Sequence, residues 1–407
     1  MRMDQMDEAL PRTTEVVVIG GGVNGASTAF QLTKRGVRDV VLIERRQLGA
    51  GATGKSGALV RCHYANPHEA RLALESLRIF RNWDEEVGHG VPGFEATGFV
   101  QIVGPEHEAA LRANVAALQE VGVETRVVSA DELGEIEPLM RTDDLTYGAF
   151  EPDSGFSDPV GTLYGFIGAA QAGGATVYPE TEAIEILTEG DRVSGVATNR
   201  GTIATRTVVL AAGPWADRLL MPLDVDLKLV PSWSQVAIFH QPPGVDSRRR
   251  HRVAIDATHQ SWFRPEGFAS TLIGVESGSR AQDPDTSDET VEEAYVEQAR
   301  SALVARFPAY AHAQMRGGWA GMIMDSPDGH PIIDRAPGIE GLWLMTGDSG
   351  TSFKTAPAIG ICLAEWMTEG APRLLDLTPF RATRFADGEP WLDATAYGDD
   401  RVLTVSR

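Results

Sequence analysis

The chain has 407 residues, with 36 Lys+Arg against 57 Asp+Glu and a net charge of −21. That acidity excludes nucleic acid and an anionic membrane surface as default partners, and leaves room for a local cationic pocket that takes a small anion. The two cysteines, Cys62 and Cys362, cannot build a disulfide framework, an iron–sulfur cluster or a cysteine-rich zinc site. No metal site is expected, and a reducing, cytoplasmic compartment fits. Residues 1–15 lack the basic start and apolar stretch of a signal peptide, and no apolar run reaches the roughly 18 residues of a membrane span. Lysine is scarce: Lys34, Lys55, Lys228 and Lys354 are all of them.

Residues 15–19 are a short apolar run ending in glycines, which predicts a buried parallel strand. Residues 23–35 predict a helix closed by Gly36, and residues 39–43 a second buried strand ending at Glu44. A β-α-β unit therefore opens the chain. Residues 49–57 form a loop rich in small residues. Helical periodicity over 67–87 ends at the breakers Gly88, Gly90, Pro92 and Gly93. A strand is predicted at 99–103 and a helix at 106–121. Strands follow at 176–178, 183–187, 193–198 and 207–210, and 234–274 again favours strands. Residues 288–307 predict a long amphipathic helix, and 319–333 short strands and turns. Residues 342–346 predict a strand running into a glycine turn, and 353–369 a helix.

Gly20, Gly22 and Gly25 match the pattern G-x-G-x-x-G directly after a strand, at the start of a helix, with Glu44 ending the next strand. In that context each position has a task. Gly20 allows the tight turn, Gly22 lets a pyrophosphate approach the helix N-terminus, and Gly25 permits close helix–strand packing. Glu44 accepts hydrogen bonds from a ribose hydroxyl. The chain then leaves the β-α-β series and returns at 208–215 and 341–369. That interruption favours FAD over NAD.

Five blocks carry a family resemblance: residues 16–44, 51–64, 209–215, 328–334 and 347–354. On these the chain resembles the FAD-dependent amine and amino-acid oxidoreductases that include sarcosine oxidase, glycine oxidase and dimethylglycine dehydrogenase. The last block is most similar to monomeric sarcosine oxidase and the sarcosine oxidase β subunit. The resemblance implies an α/β (α+β mixed) fold. A Rossmann-type FAD-binding domain of 13–80, 155–230 and 315–375 is interleaved with a mixed-sheet substrate domain of 81–154 and 231–314. It implies FAD contacts at Gly20, Gly22, Val23, Asn24, Gly25, Glu44, Arg45, Thr53, Ser56, Gly57, Ala58, Ala183, Ala212, Gly213, Trp215, Gly350, Thr351, Ser352 and Lys354.

The resemblance also makes Arg61 and Lys354 the candidate catalytic and carboxylate-binding pair, with His63 and Tyr64 in the same pocket. A guanidinium matches a carboxylate with two parallel hydrogen bonds. The cysteine that tethers flavin in monomeric sarcosine oxidase has Gly321 in its place. The histidine tether of other members is missing from 53–56, so noncovalent FAD is expected. The lysine that promotes reaction with oxygen falls at Leu272, and the carboxylate arginine of glycine oxidase falls near Ile323.

The implied reaction is oxidation of an amino acid or N-alkyl (secondary or tertiary) amino acid to an imine by hydride transfer to flavin, with reoxidation by oxygen. Alternatives are a dehydrogenase that passes electrons to a quinone or an electron-transfer protein, a flavin monooxygenase, and a non-enzymatic flavoprotein or assembly subunit. The expected partners are a small carboxylated amine and oxygen or another acceptor; an oligomer is compatible with the sequence. Trp233, Phe239, Trp262 and Phe263 are pocket walls or core.

Overall fold

The computed structural model describes residues 9–242, 245, 250–267, 269–276 and 280–397. The acidic opening over 1–8 and parts of the strand-rich 234–274 stretch lie outside the described residues. Six strands form one sheet in the order Ile332–Arg335, Leu342–Thr346, Val208–Leu210, Val16–Ile19, Val40–Ile43, Thr176–Tyr178, parallel except for the first. Alternate residues of these apolar strands enter different cores. Val16, Val18, Val40 and Leu42 pack with the helices Val23–Lys34, Pro159–Ala172 and Ala356–Glu369. Val17, Ile19, Val41 and Ile43 pack with Ile186, Val193, Val196 and Ile203 of a three-stranded antiparallel sheet.

The second large sheet has nine strands. Along its main path these are Arg280–Ala281, Val230–His240, Ser270–Val275, Ser261–Glu266, Val253–Asp256, Phe99–Ile102, Tyr147–Glu151 and Arg126–Ser129. Met315–Asp325 pairs along Val230–His240. The sequence reading assigns residues 315–325 to the FAD part, but this ladder ties them to the second sheet. The helix Glu293–Arg306 and the aromatics Phe239, Phe263, Phe307 and Tyr310 fill that sheet's core.

Four local differences have physical causes. The 67–87 helix is two, Pro67–Arg81 and Trp83–Glu86, because the Asn82 side chain donates to the Arg78 carbonyl at 2.7 Å and competes with the helical ladder. The 288–307 helix begins only at Glu293; Asp288 caps the Thr290 N–H at 2.8 Å and holds 288–290 in a turn. The last long helix begins at Ala356 rather than at Phe353, since the Thr355 N–H bonds to the Ser352 carbonyl in a tighter turn and Pro357 has no N–H for the Phe353 carbonyl. Pro159–Ala172 has no predicted counterpart: apolar on every side, it carries no amphipathic period.

Among the described residues no helix is long and apolar enough to cross a membrane.

Candidate active site

The Gly20 turn has φ +115°, and a Cβ there would lie 2.2 Å from the Ala211 carbonyl oxygen. A Cβ on Gly25 would lie 2.1 Å from the Gly20 carbonyl oxygen. Only glycine fits either place. Gly22 caps the first long helix with no side chain of its own, and the Val23 N–H is taken by Thr53 Oγ1 at 3.0 Å. Glu44 accepts the Gly21 and Arg46 N–H groups, each at 2.8 Å, and is thereby held at the strand end.

Gly20, Gly22, Val23, Glu44 and Thr53 line a cavity of about 560 Å³ that runs to the 347–354 turn. In that turn Asp348 accepts the Gly350 N–H at 3.2 Å and the Ser352 hydroxyl. Burial pushes the Asp348 carboxyl above its ordinary value, with Ser352 opposing. Asn24 Nδ2 donates to Ser352 Oγ at 2.8 Å, so the two ends of the sequence meet here. Asn24 Oδ1 is buried and has no hydrogen-bond partner among the described residues. An orphaned acceptor, a glycine-lined turn and a helix start open to the cavity fit a dinucleotide, whose polar atoms would satisfy them.

Arg61 and Lys354 also line the cavity, with exposures of 2 % and 7 %. Both sit over one ring: the guanidinium lies 4.8 Å and the ammonium nitrogen 5.1 Å from the Tyr64 centroid. Lys354 Nζ donates to the Thr351 carbonyl at 3.0 Å. Burial first, and then Arg61, holds the Lys354 amine well below its ordinary pKa. Below Arg61, Glu151 accepts the Cys62 N–H at 2.9 Å and the Ser154 hydroxyl at 2.6 Å, and burial raises its pKa.

Of the expected cofactor residues, all but Gly25 line the cavity; Gly25 packs behind it against Gly20. His63 and Tyr64 are not in the lining. The Tyr64 ring packs against both Arg61 and Lys354. His63 is fully buried with Nε2 2.7 Å from the Tyr397 hydroxyl, and burial, aided by Arg61, lowers its pKa to about 3. Trp233 and Trp262 line the cavity, whereas Phe239 and Phe263 are core. Trp262 fits because Gly57 and Gly274 face it; a Cβ on either would lie 2.4 Å or 2.3 Å from the indole.

Lining residues outside the sequence expectation include Lys55, Arg218, Glu276, Trp319 and Met322. Lys55 had a signal, being one of only four lysines and inside the early loop. Its side chain fills the space a Cβ on Gly321 would meet at 2.8 Å, and it pairs with Glu289 at 2.5 Å. Asp285, from the same acidic segment as Glu289, pairs with Arg45 at 2.8 Å, accepts from Trp215 Nε1 at 2.8 Å and pairs with Arg218. Away from the cavity, ligand-type atoms of Glu69, His330 and Asp393 lie within 4.8 Å of one another, with the imidazole bridging the two carboxylates.

The chain resembles known proteins across most of its length. It is 24 % identical over 376 residues to the mitochondrial pyruvate dehydrogenase phosphatase regulatory subunit of Mus musculus, covering 89 % of this chain and 42 % of that one. It is 25 % identical to sarcosine oxidase subunit beta of an Arthrobacter species, covering 93 % and 92 %. The chain thus spans less than half of the first relative and nearly all of the second. The L-proline dehydrogenase structure from P. horikoshii superposes with a TM-score of 0.86 at 27 % identity, covering 94 % of this chain and all of that one. The family described as DAO, FAD dependent oxidoreductase, matches residues 15–366. The chain belongs to that family of FAD-dependent oxidoreductases.

Proposed function

We propose that this protein oxidises a small secondary amino acid at the carbon beside nitrogen, giving an imine that hydrolyses in water. One observation carries the reading: the dinucleotide cavity ends at two buried basic side chains, Arg61 and Lys354, over a single aromatic ring. Two basic groups there suit a carboxylate, and a carboxylated amine of modest size suits a cavity lined by Trp262, Trp319 and Met322. The relatives support the secondary amine, since proline and sarcosine both carry one.

When bound, FAD supplies the acceptor for the hydride. The chain's residues bind and orient. Gly20, Gly22 and Glu44 would take the pyrophosphate and ribose, the 347–354 turn would take the flavin's polar edge, and Arg61 would hold the substrate carboxylate. We assign noncovalent FAD, because position 321 is glycine and its side-chain space is filled by Lys55. We assign the protein to a reducing compartment, where the buried thiols Cys62 and Cys362 stay unpaired.

Anaerobic mixing of the holoenzyme with a panel of secondary, tertiary and primary amino acids tests the reading. Faster bleaching of the flavin by secondary amino acids than by amines lacking the carboxylate is expected. Equal bleaching by decarboxylated analogues would overturn it.

A further inference from the structure

We propose that Lys354 receives the proton that a zwitterionic amino acid must shed from its ammonium nitrogen, and thereby becomes the cation that pairs with the substrate carboxylate. The inference rests on the carboxylated amine proposed above.

Lys354 Nζ lines the cavity and donates to the Thr351 carbonyl at 3.0 Å. Among the described residues no carboxylate lies within ion-pair distance of it. The charged and titratable groups that face it come from three places. Arg61 shares the Tyr64 ring, and Cys62 follows it in the chain. Glu69 faces it from the Pro67–Arg81 helix but is engaged by Asn66 and His330, each at 2.8 Å. Asp348, from the same turn, is engaged by Ser352 and Gly350.

Two positive charges on buried side chains within about 5 Å of one ring centroid repel. A guanidinium does not release its proton, so the amine is the group that yields. Burial and the neighbouring Arg61 both act in that direction.

The substrate has the complementary need. An amino acid near neutral pH carries an ammonium and a carboxylate, and hydride can leave the adjacent carbon only when nitrogen has a lone pair. In the proposed step an ammonium N–H bond breaks and its electron pair stays on nitrogen. The proton bonds to the lone pair of Lys354 Nζ. Net charge is unchanged, and no acid or base is drawn from solvent. The carboxylate then faces Arg61 and a Lys354 ammonium, which offsets the cost of a buried cation.

Two probes that cannot lose hydride separate the possibilities, each titrated into holoenzyme in weak buffer with an indicator dye. Binding is read from the flavin absorption band. Acetate has no proton to give, so its binding is expected to draw one from solvent at pH values above the lowered pKa of Lys354 in the free protein. The zwitterion 2-methylalanine brings its own proton and is expected to bind with little net uptake. Lys354→Arg, permanently charged, and Lys354→Met, never charged, are each expected to abolish the uptake on acetate. Acetate binding to the parent protein without uptake, equal uptake for both probes, or undiminished uptake in Lys354→Arg would overturn the proposal. A flavin band that neither carboxylate perturbs would instead overturn the carboxylate site itself.

Discussion

Gly25 and Gly22 stand three residues apart and are constrained for different reasons. At Gly25 a methyl group would meet the Gly20 carbonyl oxygen at 2.1 Å, so backbone must move; at Gly22 it would meet only Thr53 Oγ1, at 3.1 Å. Gly25→Ala is therefore expected to lose folded protein, while Gly22→Ala folds and binds FAD at least about tenfold more weakly, since the methyl lines the cofactor cavity. Thermal melts together with FAD titration check both; a stable, fully flavinated Gly25→Ala protein would refute the packing argument. Arg61→Ala is expected to cost about 2–5 kcal/mol of transition-state binding for carboxylated substrates and far less for matched amines without the carboxylate. The ratio of kcat/KM values for such a pair measures it. The glycines, Glu44, Arg61 and Lys354 were legible in the sequence because fixed spacing in a β-α-β unit and short ordered blocks carry them. His63 was not: its place depends on Tyr397, 334 positions away, a partnership that no local pattern encodes. Lys55 was half legible, as a scarce residue in a motif loop whose partner Glu289 comes from the other sheet's connections.

Elements were legible where an amphipathic or buried-strand pattern existed, and illegible where the environment replaced the pattern. The Pro159–Ala172 helix is apolar on every side because it lies against the first helix and under Trp83, and only Asp158, whose side chain caps Gly161, and Pro159 at its first position announced it. Residues 381–397 carried no periodicity at all, yet they are strapped across the fold. Arg384 donates to both oxygens of Asp328 at 2.7 and 2.9 Å with both side chains fully buried, and the Trp391 ring stacks on His330 at 4.2 Å. Breaking one partner leaves a buried charge, so Arg384→Met is expected to cost about 3–5 kcal/mol, while the double change Arg384→Met with Asp328→Leu recovers much of that loss. Denaturant midpoints across the four proteins test the coupling; purely additive losses would mean the pair acts independently. The same pair sets an acid dependence. Burial opposes the charged carboxylate, but the Arg384 hydrogen bonds and charge prevail and hold Asp328 below the usual carboxylate range. The native state then binds fewer protons than the unfolded chain between the two values. Its contribution is present above the unfolded pKa of about 3.9 and is lost as pH falls through the lowered one. Midpoints measured from about pH 6 downward are expected to fall less steeply for Asp328→Asn than for the parent protein.

At the scale of the molecule, the cavity joins the two large sheets: its lining runs from Ile19 on the first to Trp262 and Met322 on the second, and closes at Lys354. A ligand bound there engages the native state and not the unfolded chain. FAD at 100 times its dissociation constant adds about 2.7 kcal/mol, so stripping a noncovalent cofactor is expected to lower the Tm by several degrees and its re-addition to restore it. Acid precipitation is expected to leave the yellow colour in the supernatant; a coloured pellet would indicate a tether. The same layout bears on the electron acceptor. Electron transfer to oxygen builds negative charge beside the flavin, and a nearby cation favours it. At Leu272, where the family resemblance looks for such a lysine, the side chain is fully buried with Val236 and Ile238 behind Trp262 and Trp319. Lys55 is the cation nearest to that role by position, lining the cavity beside Gly321, but Glu289 at 2.5 Å neutralises it. Lys354 lies with Arg61 over Tyr64, where bound product meets it. Reoxidation by oxygen is therefore expected to be slower than reduction by substrate, so that turnover in air is limited by the oxidative half-reaction and a phenazine dye raises it. Stopped-flow mixing of reduced enzyme with oxygenated buffer, set beside anaerobic reduction at saturating substrate, compares the two rates directly. Reoxidation faster than reduction would show that a cation does reach the oxygen site. Lys55→Met would then identify it, by slowing reoxidation while leaving reduction unchanged.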